Sequence, residues 1–287
     1  MSGQPWGDNA GMKHSEETHK AADGAEIYRQ QWLPDNQPRG VVCLVHGLGE
    51  HSGRYGHLAQ RFTEQGFAVF ALDLRGHGKT SGKRGDLRVP AAIADVGELL
   101  DQATTQFPGV PVFLYGHSLG GLITMTYTMQ NHPDITGQIA SAPALDSELR
   151  EQRLKFTLAN VLGGIAPGII IPTGLDADGV SRDPAVVEAY KNDPLVHDKG
   201  STGLAKQTFA AMDVIMDQRS FPLPLLIIHG TADRLTVPAA SKTFVENIEG
   251  DVTLIEYEGM YHEPHNEPEQ EEVFADVLEW MQARLPA

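Results

Sequence analysis

One pentapeptide constrains this chain more than any other stretch. Gly116-His117-Ser118-Leu119-Gly120 follows directly on the apolar run Val110-Pro111-Val112-Phe113-Leu114-Tyr115. A short apolar run bounded by turn residues reads as a buried strand. The residues after the pentapeptide, Gly121-Leu122-Ile123-Thr124-Met125-Thr126-Tyr127, continue as a helix. A serine between the two stands on a sharp, strained turn, which has room only where its neighbours lack a β-carbon. Ser118 would sit at a helix N-terminus, where free backbone N–H groups favour negative charge. Gly-x-Ser-x-Gly between strand and helix is the turn that exposes a nucleophilic serine above a parallel sheet.

The rest of the chain supplies such a sheet. Thr18 to Leu33 reads as a hairpin turning at Asp23-Gly24. Val41 to Val45 is a continuous apolar strand, as a sheet covered on both faces requires. A helix from Tyr55 to Gln65 closes at Gly66, the strand Phe67 to Leu72 follows, and Pro90 opens an amphipathic helix to Phe107. After the serine come strands at Ile135–Ala140, Leu225–Ile228 and Val252–Tyr257, with helices at Ala239–Asn247 and Glu267–Leu285. Alternating strands and helices predict an α/β fold with a doubly wound, mostly parallel sheet.

Residues 146–220 break the alternation and read as an inserted helical cap. Leu154, Leu158, Val161, Leu162 and Ile165 form a stripe at helix spacing. Ile169, Ile170 and Ile171 lie between the breakers Ala166-Pro167-Gly168 and Pro172, and suit an apolar entrance or a lipid surface. The expected organisation is a flexible segment over 1–17, a first core part over 18–145, the cap over 146–220 and a second core part over 221–287. A chain of 287 residues is long enough for one such domain with its insertion.

The formal net charge of -16 argues against nucleic acid and against anionic membranes, since both need basic patches. The single cysteine, Cys43, excludes an intrachain disulfide and reads as a small core residue. Met1 to Lys20 is polar, without an apolar signal region, and no run is long enough to span a bilayer. The expected location is cytoplasmic, with peripheral membrane contact through the cap left open.

A serine hydroxyl is a weak nucleophile at neutral pH and needs a base beside it. In the α/β-hydrolase fold the partners follow in chain order, Asp or Glu and then His, each on a loop after a strand's C-terminal end. Asp233 fits the acid, separated from Leu225-Leu226-Ile227-Ile228-His229-Gly230 by the short loop Thr231-Ala232. His262 fits the base, in Gly259-Met260-Tyr261-His262-Glu263-Pro264-His265. His265 competes from the same loop but lies farther from the strand end. His46 and His229 each precede a glycine at a strand end and are expected to buttress loops. Acyl transfer passes through an oxyanion that needs preorganised donors. The backbone N–H groups of Leu119, just after the serine, and of Leu48, in His46-Gly47-Leu48-Gly49, are the expected pair. No metal site is read: His-Glu-x-x-His is absent and one cysteine cannot build a thiolate cage.

His46-Gly47-Leu48-Gly49-Glu50-His51-Ser52-Gly53-Arg54-Tyr55 closely resembles the oxyanion loop of the monoacylglycerol lipases and lysophospholipase-like serine hydrolases. Gly230-Thr231-Ala232-Asp233-Arg234-Leu235 and Glu258-Gly259-Met260-Tyr261-His262 are similar to that family's acid and base segments, and Asn192-Asp193-Pro194-Leu195 to part of its cap. The resemblance runs from Tyr28 to Leu285. It implies Ser118, Asp233 and His262 as catalytic residues. It implies Glu50, Arg54 and His265 as polar groups near a glycerol pocket, although Glu50 and Arg54 are also spaced as a local ion pair. The implied activity is carboxylester hydrolysis of monoacylglycerols through an acyl-enzyme, with a short- or medium-chain carboxylesterase or a lysophospholipase as the alternative. The implied partner is a small lipid ester, with no cofactor, for a monomer or homodimer. Some family members carry cysteine near the acid; here Thr236 follows Arg234-Leu235.

Overall fold

The computed structural model describes residues 12–147, 150, 157 and 161–286. Eight strands form the main sheet: β1 (Met12–Lys20), β2 (Glu26–Pro34), β3 (Gly40–Val45), β4 (Phe67–Leu72), β5 (Val112–His117), β6 (Gly137–Ser141), β9 (Leu225–Gly230) and β10 (Val252–Tyr257). Their order is β1-β2-β4-β3-β5-β6-β9-β10. β1 and β2 pair antiparallel and β2 meets β4 antiparallel, while every pairing from β4 to β10 is parallel. The α/β-hydrolase fold expected from the sequence is the fold observed.

The continuous apolar strands are buried on both faces. Val41, Cys43 and Val45 of β3 enter one core cluster, and Val42 and Leu44 enter the other, as side chains alternating across a strand must. Helices α1 (Gly56–Glu64) and α7 (Gln270–Gln282) cover the second face with Leu58, Phe62, Val273 and Trp280. Helices α2 (Val89–Gln106) and α3 (Leu119–Asn131) cover the first with Ala92, Val96, Leu99 and Ile123. Helix α6 (Pro238–Asn247) packs Ala240 and Phe244 into a third cluster with Met125 and Phe209. No helix of the described residues is long and apolar enough to cross a membrane.

Chain order reverses at β3. β4 lies on one side of it and β5 on the other, so the loops leaving the carboxyl ends of β3 and β5 diverge and open a crevice between them. That switch point is where open parallel sheets place their ligands.

Two expectations are corrected. β1 begins at Met12, so residues 12–17 form a paired edge strand rather than a flexible segment; residues 1–11 lie outside the described residues. In the insertion, Ile170 is not in a loop. Ile170–Pro172 (β7) pairs antiparallel with Lys199–Ser201 (β8). Helices α4 (Pro184–Asn192) and α5 (Thr202–Met216) complete this region. Residues 161–165 are helical, but Val161 is 50% and Ile165 79% exposed, so this part of the stripe is not core. Leu154 and Leu158 lie outside the described residues.

Candidate active site

Ser118 links β5 to α3 with φ 54° and ψ −119°, a conformation that costs a non-glycine residue about 1–3 kcal/mol. The flanking glycines make the turn possible. A β-carbon on Gly116 would lie 2.3 Å from Thr124 Oγ1, and one on Gly120 2.3 Å from the Val45 carbonyl oxygen. Hydrogen bonds hold the turn: Ser118 N–H donates to Ser141 O (2.9 Å), and Leu122 and Ala144 N–H both donate to Ser118 O (3.1 Å each).

The loop after β3 faces the serine. Gly47 N–H donates to Glu50 Oε1 (2.7 Å), and so does the Tyr55 hydroxyl (2.8 Å). Among the described residues neither Leu48 N–H nor Leu119 N–H donates to a backbone or side-chain acceptor. The two donors expected for an oxyanion are thus unengaged, and both residues line the same cavity as Ser118. His46 buttresses the loop as expected, with Nδ1 2.7 Å from Gly47 O and Nε2 accepting from Leu74 N–H at 2.9 Å.

Asp233 follows β9 and His262 follows β10, and the structure brings them together: His262 Nδ1–H donates to Asp233 Oδ2 at 2.7 Å. The aspartate side chain is fully buried. Burial alone would raise its pKa, but the charges and hydrogen bonds of His262 and His229 hold it far below the carboxylate range. Burial would likewise lower His262, yet the charge and hydrogen bond of Asp233, then Glu263 and Glu50, raise it above the ordinary histidine value. Ser118 and His262 line one cavity without a hydrogen bond between them. Such bonds often tighten only when substrate is present.

The cavity has a volume of about 230 Å³ and a mixed lining. Ala144, Leu204, Phe209 and Met212 are its apolar part, and Glu50, Tyr190 and Glu263, gathered around Arg54, are its polar part. Of the residues expected to meet substrate, Glu50 lines the cavity. Arg54 and His265 do not: Arg54 reaches it through Glu50 (2.7 Å) and both oxygens of Glu263 (2.7 Å each). His265 is buried with its ring against Tyr55 (4.9 Å) and His117 (4.9 Å). Ile169 and Ile170 do not line it either; Ile171 and Leu175 do, and both remain partly exposed at its mouth.

Glu263 and Tyr190 are not among the site residues expected from the sequence, although an acid next to His262 is a visible signal, and His229, expected only to buttress a loop, also reaches the acid. Tyr190 lays its ring over the Arg54 guanidinium (4.6 Å). His229 and Thr236 both contact Asp233 Oδ2. The insertion is also tied to the loop after β3: His197 N–H donates to Gly49 O (2.8 Å), and Asp193 Oδ2 lies 2.9 Å from His51 Nε2.

The family model described as serine aminopeptidase, S33, matches residues 36–269, a span that holds the serine turn, Asp233 and His262. The chain belongs to this family of α/β-hydrolases. It is 42% identical to a monoacylglycerol lipase of Mycolicibacterium smegmatis over 94% of this chain and 98% of the relative. It is similar in structure to a Paleococcus ferrophilus monoacylglycerol lipase, with a TM-score of 0.83 at 39% identity, covering 90% of this chain and 99% of that one. It is also 33% identical to a phospholipase of Bacillus subtilis over 85% of this chain and 95% of that protein.

Proposed function

We propose that this chain hydrolyses monoacylglycerols to fatty acid and glycerol. The observation that carries the reading is the cavity at Ser118, lined both by the apolar Ala144, Leu204, Phe209 and Met212 and by the carboxylates Glu50 and Glu263. A single acyl chain suits the apolar lining, and a small polyol, whose hydroxyls can donate to Glu50 and Glu263, suits the polar lining. Relatives named as monoacylglycerol lipases support the same substrate class.

In this reading Ser118 attacks the ester carbonyl. His262 Nε2 takes the serine proton, and Asp233 holds the imidazole by its Nδ1–H and stabilises the imidazolium. The N–H groups of Leu48 and Leu119 receive the oxyanion. His262 returns the proton to the departing glycerol oxygen, and water then attacks the acyl-enzyme with the same base. Residues 146–220 act as the cap over the apolar lining, and the exposed apolar residues at the mouth meet the lipid aggregate from which substrate is drawn.

The test is hydrolysis across an ester ladder, from short p-nitrophenyl esters to medium- and long-chain monoacylglycerols. Di- and triacylglycerols and a lysophospholipid complete it, with Ser118→Ala as blank. A maximum on monoacylglycerols that vanishes in Ser118→Ala is expected. A maximum on lysophospholipid, or activity confined to short acyl chains, would replace the substrate assignment while leaving the serine mechanism intact.

A further inference from the structure

The Asp233 carboxylate serves more than one histidine. Its Oδ1 accepts the backbone N–H groups of Leu235 (2.7 Å) and Thr236 (3.1 Å). Its Oδ2 accepts His262 Nδ1–H (2.7 Å) and the Thr236 hydroxyl (2.7 Å), and His229 Nε2 lies 3.1 Å away. Those five donors exceed the roughly four lone-pair sites of a carboxylate, so the donors on Oδ2 compete.

His229 is the last residue but one of β9 and is buried, out of reach of water. Its Nε2 faces Asp233 Oδ2 and Thr236 Oγ1, each at 3.1 Å, and its Nδ1 lies 2.8 Å from Oγ of Ser241, a fully buried residue of α6. An unprotonated Nε2 would set its lone pair against a carboxylate oxygen. The network therefore assigns the proton to Nε2, with the Ser241 hydroxyl donating to Nδ1. The structure holds a four-member line, Ser241, His229, Asp233 and His262, which ends at the cavity that Ser118 lines.

We propose that His229 and Thr236 are positioning residues for the acid–base pair: both donate to the Asp233 oxygen that His262 uses, fixing the carboxylate and taking a share of its basicity. This rests on the reading of Ser118, Asp233 and His262 as the catalytic residues. Dividing Oδ2 among three donors weakens its hold on the His262 imidazolium. The base then loses its proton at a lower pH than it would beside an undivided carboxylate. The other titratable groups facing His262 are Glu263, Glu50 and His117, whose ring lies 4.7 Å from its own; the variants below leave all three in place.

The experiment follows kcat/KM against pH on a soluble short-chain p-nitrophenyl ester. The variants are His229→Leu, His229→Gln, Thr236→Val and Thr236→Ser, with Ser118→Ala and Asp233→Asn as references. Glutamine sets an amide N–H near the place of Nε2–H, and serine keeps the hydroxyl. The acid limb is expected to move up by about one pH unit in His229→Leu and in Thr236→Val, the scale of one hydrogen bond to a charged group. Roughly tenfold should be lost from kcat, with KM little changed, if the acid is also less well aimed. His229→Gln and Thr236→Ser should return the limb to its wild-type position. The far-downfield proton resonance of His262 Nδ1–H should shift in the first pair and not in the second. If His229→Leu does not fold, Thr236→Val carries the test alone. An acid limb that stays in place in folded variants, or that moves equally in the Leu and Gln variants, overturns the proposal while inactive Ser118→Ala and Asp233→Asn keep the triad. Full activity in Asp233→Asn overturns the triad itself.

Discussion

Arg54 shows how one side chain sets the polar part of this site. It joins two buried carboxylates, Glu50 and Glu263, which without it would repel each other in a dry environment. Burial disfavours charge on Arg54 and on Glu263 alike, yet their mutual attraction wins and drives their pKa values apart, the guanidinium up and the carboxyl well below its usual range. Removing one partner of such a set leaves buried charge uncompensated, at a cost of about 3–5 kcal/mol. Arg54→Met is therefore expected to lower the melting temperature by on the order of 10 °C. Arg54→Lys should recover only part of it, since an ammonium cannot reproduce the two-pronged grip on Glu263. Thermal denaturation of both variants decides the matter; a melting temperature unchanged in Arg54→Met would mean that the acids relax or bind protons instead.

At the scale of the element, the insertion is where sequence and structure part. Leu204, Phe209 and Met212 are buried, but the apolar residues Val161, Ile165, Ile169 and Ile171 do not mark a buried face. Ile169 is 45% exposed and stands outside the cavity, whereas Ile171 and Leu175 rim the mouth. Ile169→Asp is expected to weaken binding to neutral vesicles several-fold and to slow hydrolysis of vesicle-borne monoacylglycerol, while a soluble short-chain ester is cleaved at the wild-type rate. Equal vesicle binding by both proteins would remove the surface-contact reading. The core strands were legible because burial on both faces writes an uninterrupted apolar run, as in Val41–Val45 and Phe67–Leu72. The hairpin turning at Asp23-Gly24 was legible too, but the first part of β1, residues 12–17, was not: an edge strand keeps charged side chains outward and reads as a solvated tail. β7 and β8 are three residues each and pair across a gap in sequence that no local pattern encodes. The places of Ser118, Asp233 and His262 after β5, β9 and β10 were legible from chain order and strand ends. Arg54's second partner was not, because 209 residues separate it from Glu263.

For the whole molecule, buried histidines govern how stability answers to pH. His46, His77, His117 and His265 are all buried, and burial, with neighbouring imidazoles adding at the last three, holds each below its ordinary value. A histidine depressed in the folded state binds fewer protons there than in the unfolded chain. Its share of stability is complete above the unfolded pKa of about 6.5 and is lost as pH falls below it. Each such group contributes a slope of up to about 1.4 kcal/mol per pH unit in that window. The melting temperature is thus expected to hold from pH 8 to 7 and to fall steeply between pH 6.5 and 5, before most carboxylates titrate. His265→Phe, which leaves a ring against Tyr55 and His117, should flatten the fall. A flat profile down to pH 5 would contradict the assignment.

The bond from His197 to Gly49 and the Asp193–His51 contact bolt the insertion to the loop that carries Leu48. Such a fastening joins two mechanical duties. The strand Ile170–Pro172 pairs with Lys199–Ser201, and Thr202 N–H donates to Ile169 O (2.9 Å), so the apolar stretch at the mouth hangs on residues that directly follow the clamped Asp193–His197 segment. A guest that widens the doorway is therefore expected to be felt at the loop that carries Leu48.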